Sequence, residues 1–173
     1  MLFVCPNCNK YGLLKSNKNY ISCDCGLKVL YKENLHLEGN LESFKFNILN
    51  DWYQFQKKWV RDLEIEDGKV IFQDSDVLLY KEIPNKKRKL ITKGNLVVTN
   101  NKIIFNSQIE FDVSKIIMAS PISGIKLSIS FSDESYLIKG NPRFNPLKYV
   151  FLFNRLDTLM KGNDIYYNIY DKE

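Results

Sequence analysis

Cys5-Pro6-Asn7-Cys8 and Cys23-Asp24-Cys25-Gly26 hold the only four cysteines of this 173-residue chain, with fourteen residues between the two pairs. No other feature restricts the fold as much. Two close pairs at this separation are what two tight backbone turns need to aim four thiolates at one tetrahedral Zn²⁺. The second pair is Cys-x-Cys, a looser match than Cys-x2-Cys. Gly26 offsets this, because a glycine behind the ligand lets the chain turn so that backbone N–H groups face the sulfurs. Two disulfides or four separate thiols are the alternatives, and in an intracellular chain such spacing reads as metal. The pattern predicts a zinc ribbon with Cys5, Cys8, Cys23 and Cys25 as ligands. Four cysteine ligands leave no open position for water or substrate, so the Zn²⁺ is expected to be structural. About twenty-five residues cannot enclose a core of their own, which makes the ion a condition of this segment's folding.

Met1-Leu2-Phe3-Val4 has neither the basic n-region nor the long apolar core of a secretory signal. No uncharged apolar run reaches the roughly 18 residues of a membrane span. A cytoplasmic, reducing setting is the expectation, without a transmembrane segment. The net charge of +5 favours anionic surfaces, but it does not choose between nucleic acid and lipid headgroups.

In the ribbon, Tyr11-Gly12-Leu13-Leu14 and Tyr20-Ile21-Ser22 read as strands around a polar turn at 15–19, and alternation over 27–32 reads as a third. Glu38-Gly39-Asn40 marks a turn and the expected end of the head. Behind the N-cap signal Asn50-Asp51, Trp52, Phe55, Trp59 and Leu63 recur at helical spacing and predict an amphipathic helix. Its end is open: Gly68 suits a left-handed C-cap, or Asp67-Gly68 suits a hairpin turn, and the unbroken stripe favours the helix. Eight short strands are then predicted at 77–80, 89–91, 96–99, 103–105, 109–113, 115–119, 125–131 and 136–139. Turn chemistry separates them at Asp74-Ser75-Asp76, Lys93-Gly94-Asn95, Asn100-Asn101 and Ser132-Asp133-Glu134. A helix over 146–161 follows, opened by Pro146, closed by Gly162 and carrying Tyr149, Leu152, Phe153, Leu156 and Met160 on its apolar face. The expected architecture is mainly β with two helices: a zinc ribbon (1–39), a linker with an amphipathic helix (40–70), an antiparallel β-barrel capped by a C-terminal helix (71–162), and a tail (163–173) with Tyr166, Tyr167 and Tyr170.

That order of parts resembles the C-terminal extension of some bacterial 1-acylglycerol-3-phosphate acyltransferase family proteins, in which a zinc ribbon precedes a PH/GRAM-like domain. The likeness lies in Cys-Pro-Asn-Cys with Cys-Asp-Cys-Gly-Leu-Lys-Val, the tryptophan-bearing helix, Ile71-Phe72-Gln73-Asp74 running into Val77-Leu78-Leu79-Tyr80, and the GRAM-type hairpin from Gly94 to Phe105. The family's catalytic signature is a histidine and an aspartate separated by four residues. It is missing, since His36, the sole histidine, is followed at that offset by Leu41. The resemblance therefore implies an accessory region of a lysophosphatidic acid acyltransferase family protein, not its reaction centre.

A non-catalytic binding or scaffolding module follows, with an acyltransferase domain, another protein or the cytoplasmic face of a membrane as its expected contact. A lone histidine, a closed metal site, no Gly-rich phosphate loop and no Gly-x-Ser-x-Gly elbow argue the same way. A sharper version takes Lys86, Lys87, Arg88 and Lys89 as the cations that hold anionic lipid headgroups, as the corresponding loop of PH domains commonly does. The plain alternative is a solvated hairpin. A nucleic-acid-binding ribbon is a rival, which Tyr11, Lys15, Lys18 and Tyr20 support only faintly. Glu64, Glu66 and Asp67 as the carboxylates of an unrecognised enzyme rank last, because acidic residues beside a glycine usually end a solvated helix.

Overall fold

A computed structural model describes residues 2–162. The expectations for the tail, with Tyr166, Tyr167 and Tyr170, lie outside the described residues. The chain divides into two compact units, Met1–Asp62 and Leu63–Glu173.

The first unit is a four-stranded antiparallel sheet, β1 (Leu14–Asn17), β2 (Tyr20–Cys23), β3 (Lys28–Tyr31) and β4 (Leu37–Gly39) in chain order, followed by α1 (Leu49–Arg61). The expected first strand at 11–14 is displaced. Gly12 takes a left-handed φ of 76° and donates to the Phe3 carbonyl, so Tyr11 bridges Val4 and not β2. The β1/β2 turn shrinks to Lys18 and Asn19, because Asn17 already faces Tyr20.

The boundary expected after Gly39 falls instead after Asp62. Gly39 is a strand residue, and a Cβ there would lie 2.6 Å from the Phe44 ring, so its bareness serves close packing. Phe44 and Phe46 in turn pack on the fully buried Trp52 of α1 at ring-centroid distances of 5.4 and 6.2 Å. Residues 40–62 are therefore part of the head's core and not a linker; such aromatic burial is the largest apolar term available to a unit this small.

The helix begins one residue before Asn50. Asp51 accepts from the Asn47 and Ile48 N–H groups at 3.1 and 3.2 Å, reaching back from the third helical position where a cap had been expected. The buried face is Trp52, Gln56 and Val60, while Trp59 meets Phe3 and Tyr11. Leu63 lies beyond the helix end. Neither of the two endings considered for Gly68 is formed: helix α1 stops at Arg61, and the Asp67-Gly68 turn is held by Asn100, which accepts from the Gly68 N–H and donates to Asp67.

In the second unit, β5 (Phe72–Glu82), β6 (Lys89–Val98), β7 (Lys102–Phe105), β8 (Ile109–Asp112), β9 (Met118–Ser123), β10 (Lys126–Ser130) and β11 (Ser135–Lys139) form one antiparallel sheet in the order β8-β7-β6-β5-β11-β10-β9. Seven strands replace the eight expected. Lys93-Gly94-Asn95 does not turn; it runs inside β6, which joins two of the predicted strands. Asp74-Ser75-Asp76 likewise lies within β5, where a bulge with Asp76 at φ 55° absorbs one extra residue. The strand expected at 115–119 starts later, because Val113–Lys115 form a single 3₁₀ turn with Val113 buried.

Helix α2 (Pro146–Lys161) has the predicted bounds. Asn145 Oδ1 accepts from the Leu147 N–H at 3.0 Å, and Gly162 closes the helix at φ 63°. The helix packs against β9 and the 3₁₀ turn, and its Tyr149 meets Phe72 of β5. Met160, expected on the apolar face, is exposed. Lys148 is buried beside Tyr149, and both donate to Asp74 at the β5 bulge, at 2.8 and 2.5 Å. Burial lowers the Lys148 pKa, an effect opposed by the Asp74 carboxylate.

Candidate functional site

Two backbone knuckles build the cysteine cluster. In the first the Asn9 N–H returns to the Cys5 carbonyl at 2.9 Å with Asn9 at φ 59°; in the second the Gly26 N–H returns to the Cys23 carbonyl at 3.0 Å with Gly26 at φ 94°. Left-handed residues close both turns, which asparagine tolerates and glycine adopts freely. Cys5 and Cys25 sulfurs lie 3.6 Å apart, Cys8 and Cys23 sulfurs 3.8 Å, and all four fall within 4.8 Å of one another. A tetrahedron with metal–sulfur bonds of about 2.3 Å has sulfur–sulfur edges of about 3.8 Å. The donor set and its dimensions thus suit a four-thiolate metal ion, and every tetrahedral position is filled by protein.

The ligands differ in surroundings. Cys5 and Cys23 are buried, Cys8 is half-buried and Cys25 is exposed. Burial pushes the Cys5 thiol up to about 12 and raises Cys23 as well. The Asn7 amide and then the Leu27 N–H hold Cys25 down, at about 6. Metal binding at Cys5 must displace a proton that burial retains, whereas Cys25 presents a thiolate near neutral pH. Ser43 Oγ donates to Asn7 Oδ1 at 2.7 Å, and Asn7 Nδ2 reaches the Cys25 sulfur at 3.4 Å. This outer support is absent from the sequence reading. Asn7 sits between two ligands, so its position is a visible signal; Ser43, thirty-six residues on, offers none.

The basic run lies at the tip of the β5/β6 hairpin, beyond a turn with Asn85 at φ 58° and the Lys86 N–H returned to the Ile83 carbonyl. Lys86, Lys87, Arg88 and Lys89 are all exposed. Arg88 pairs with Glu82 at 2.8 Å, whereas Lys86, Lys87 and Lys89 make no ion pair among the described residues.

The features of the rival readings are scattered or already engaged. Lys15 pairs with Asp24 at 2.6 Å and Tyr11 packs on Trp59, which leaves Tyr20 as the exposed ring of that set. His36 is an exposed residue of a backbone bridge to Ile48. Glu66 pairs with Lys69, and Asp67 serves the turn described above. Sequence reasoning also passed over an open cleft of about 600 Å³ lined by Phe111, Ile117, Phe131 and Tyr136. Its rim acids are largely spoken for: Glu134 by Lys81 and the Tyr136 hydroxyl, Glu110 by Lys102, and Asp112 by Lys115.

No described helix is long and apolar enough to cross a membrane. No family model matches the chain, and no curated protein matches it. Among solved structures it is similar to the N-terminal PH domain of the human ARAP2 protein, with 13% identity and a TM-score of 0.40 over 56% of this chain and 86% of that domain.

Proposed function

We propose that the chain is a non-catalytic accessory module in which a structural zinc fixes the head and a PH/GRAM-like body contacts an anionic membrane surface. The setting is the one that the acyltransferase-family resemblance implies. Cys5, Cys8, Cys23 and Cys25 would hold Zn²⁺, which ties the two knuckles together and leaves no coordination site for chemistry. The observation that carries the lipid reading is the hairpin tip, where Lys86, Lys87 and Lys89 stand exposed without an ion pair among the described residues. Each such cation contributes about 1 kcal/mol near an anionic surface. Three therefore supply weak, reversible association that depends on salt, and a second contact, such as the acyltransferase domain, would be needed for firm placement.

Flotation with phosphatidylserine-containing vesicles tests this. The parent chain is expected to float with them at low salt, and Lys86→Glu/Lys87→Glu to lose at least about tenfold of that binding, since two reversals alter four charges' worth of attraction. Equal recovery of parent and variant removes the lipid reading. The nucleic-acid alternative gains no support from a ribbon whose Lys15 is already paired.

A further inference from the structure

The β5/β6 hairpin carries more than cations. Directly behind Lys89, Leu90 and Ile91 are 51% and 38% exposed, two adjacent aliphatic side chains between lysines at 86, 87 and 89 and the exposed Lys93. Their exposure has a cause in the register. Strand β7 pairs with Leu96, Val97 and Val98, so among the described residues the first half of β6 has β5 on one side and no strand on the other. A register shift there sets Tyr80 against Leu90 and Leu79 against Thr92, which leaves Ile91 as the extra residue of a bulge. Strand β5 is backed there by β11, which sets Leu137 against Tyr80, so the first half of β6 is an open edge of the sheet that ends in the basic hairpin tip.

We propose that this edge, with the hairpin tip, inserts into membranes: Leu90 and Ile91 enter the headgroup–acyl boundary of an anionic bilayer while Lys86, Lys87, Lys89 and Lys93 meet lipid phosphates. The inference rests on the lipid reading of the hairpin and adds the apolar anchor. Aliphatic side chains flanked by lysines suit a boundary where one layer is apolar and the next anionic, and the lysine stems can lie along that layer while their ammonium groups stay in the headgroups. Two other occupants of an open edge fit less well. A second copy would bring lysines against lysines, which is how edges are kept from pairing. Single-stranded nucleic acid would need exposed rings to stack on, and Tyr80, the ring opposite Leu90, is half-buried.

The test uses the full zinc-loaded chain and vesicles of phosphatidylcholine with or without phosphatidylserine. Leu90→Ser/Ile91→Ser is expected to weaken binding about tenfold. What remains should vanish at raised salt, where the parent keeps a measurable fraction. A Leu90→Trp chain should be quenched by bromolipid beyond the parent's own signal. Should Lys86→Glu/Lys87→Glu abolish binding while Leu90→Ser/Ile91→Ser binds as the parent does, the insertion is wrong and the charge reading stands. Failure of the parent to bind any anionic vesicle removes both. Displacement of parent and serine variant alike by inorganic phosphate identifies a free-phosphate site and overturns insertion. So does a serine variant whose only change is a smaller mass in light scattering, since the edge would then pair with a second copy.

Discussion

Gln56 shows how one side chain can hold a small unit together. Its Oε1 accepts from the backbone N–H groups of both Phe3 and Val4, one turn from Trp52, whose Nε1 donates to the Val4 carbonyl at 2.9 Å. Between them these two side chains satisfy the segment that leads into Cys5. Gln56→Leu keeps the volume and strands two buried donors, each worth about 1–3 kcal/mol once desolvated. The expected result is a loss of roughly 2–4 kcal/mol in urea unfolding of the zinc-loaded head, followed by tryptophan emission. A loss within about 0.5 kcal/mol, the range of an ordinary surface change, would mean that water replaces the amide. Among the described residues the buried Gln56 Nε2 meets no hydrogen-bond partner, and the oxygen makes the amide's bonds. The periodicity of the sequence contains this residue in phase, at 52, 56 and 60. A stripe defined by aromatic type passes over it, because a glutamine is worth burying only once two backbone donors are known to cross it.

At the scale of elements, Gly94 decides whether β6 is one strand or two. It sits at φ 154°, and a Cβ would lie 1.9 Å from Asn106 Oδ1. Asn106 fills that space with three bonds, accepting from the Asn95 N–H and donating to Thr92 Oγ1 and the Lys93 carbonyl. Gly94→Ala should cost about 2–3 kcal/mol through clash and strained φ together. Asn106→Ala alone forfeits those three bonds, so Gly94→Ala/Asn106→Ala is set against it: the second change should then cost only the strained φ, and a double variant as stable as Asn106→Ala would show that φ is unstrained. This explains why turn chemistry misdivided the body. Asn, Asp and Gly mark any departure from regular backbone, and Lys93-Gly94-Asn95 and Asp74-Ser75-Asp76 spend it on a close approach and a bulge. Asn100-Asn101 does lie in a hairpin, though neither residue has a positive φ. Thr99 Oγ1 holds that turn through the Lys102 N–H at 3.0 Å, and the positive φ values fall on Asn106 and Ser107 of the next. Helix α2 was legible to its ends because Pro146 and Gly162 each act within one turn of where they stand. Strand division depends on partners far away in the chain.

The whole molecule offers an optical separation of its two units. Both tryptophans of the chain, Trp52 and Trp59, belong to Met1–Asp62, so their emission reports the head alone. One cluster of that unit's core joins Cys5, Cys23, Leu27, Val29, Leu37 and Trp52, and two of these six are ligands of the candidate metal. Without the ion, Cys5 and Cys23 become buried thiols facing two others, and the aromatic packing of Phe44 and Phe46 on Trp52 loses the sheet that positions it. The body has a separate core that includes Leu79, Leu96, Ile103, Leu127 and Leu152, with no cysteine in it. A strong chelator should therefore remove one zinc per chain, shift tryptophan emission to the red and leave most of the far-ultraviolet β signal in place, to be lost only at higher denaturant. Restored Zn²⁺ should return the emission. If chelation leaves the emission unshifted, or if both signals collapse in one step, the head either does not depend on the metal or does not fold apart from the body. In either case the energetic division drawn from the contact pattern fails. The four sulfurs were legible as a set because their spacing is local. That the metal should govern one core and spare the other follows only from where the fold places Trp52.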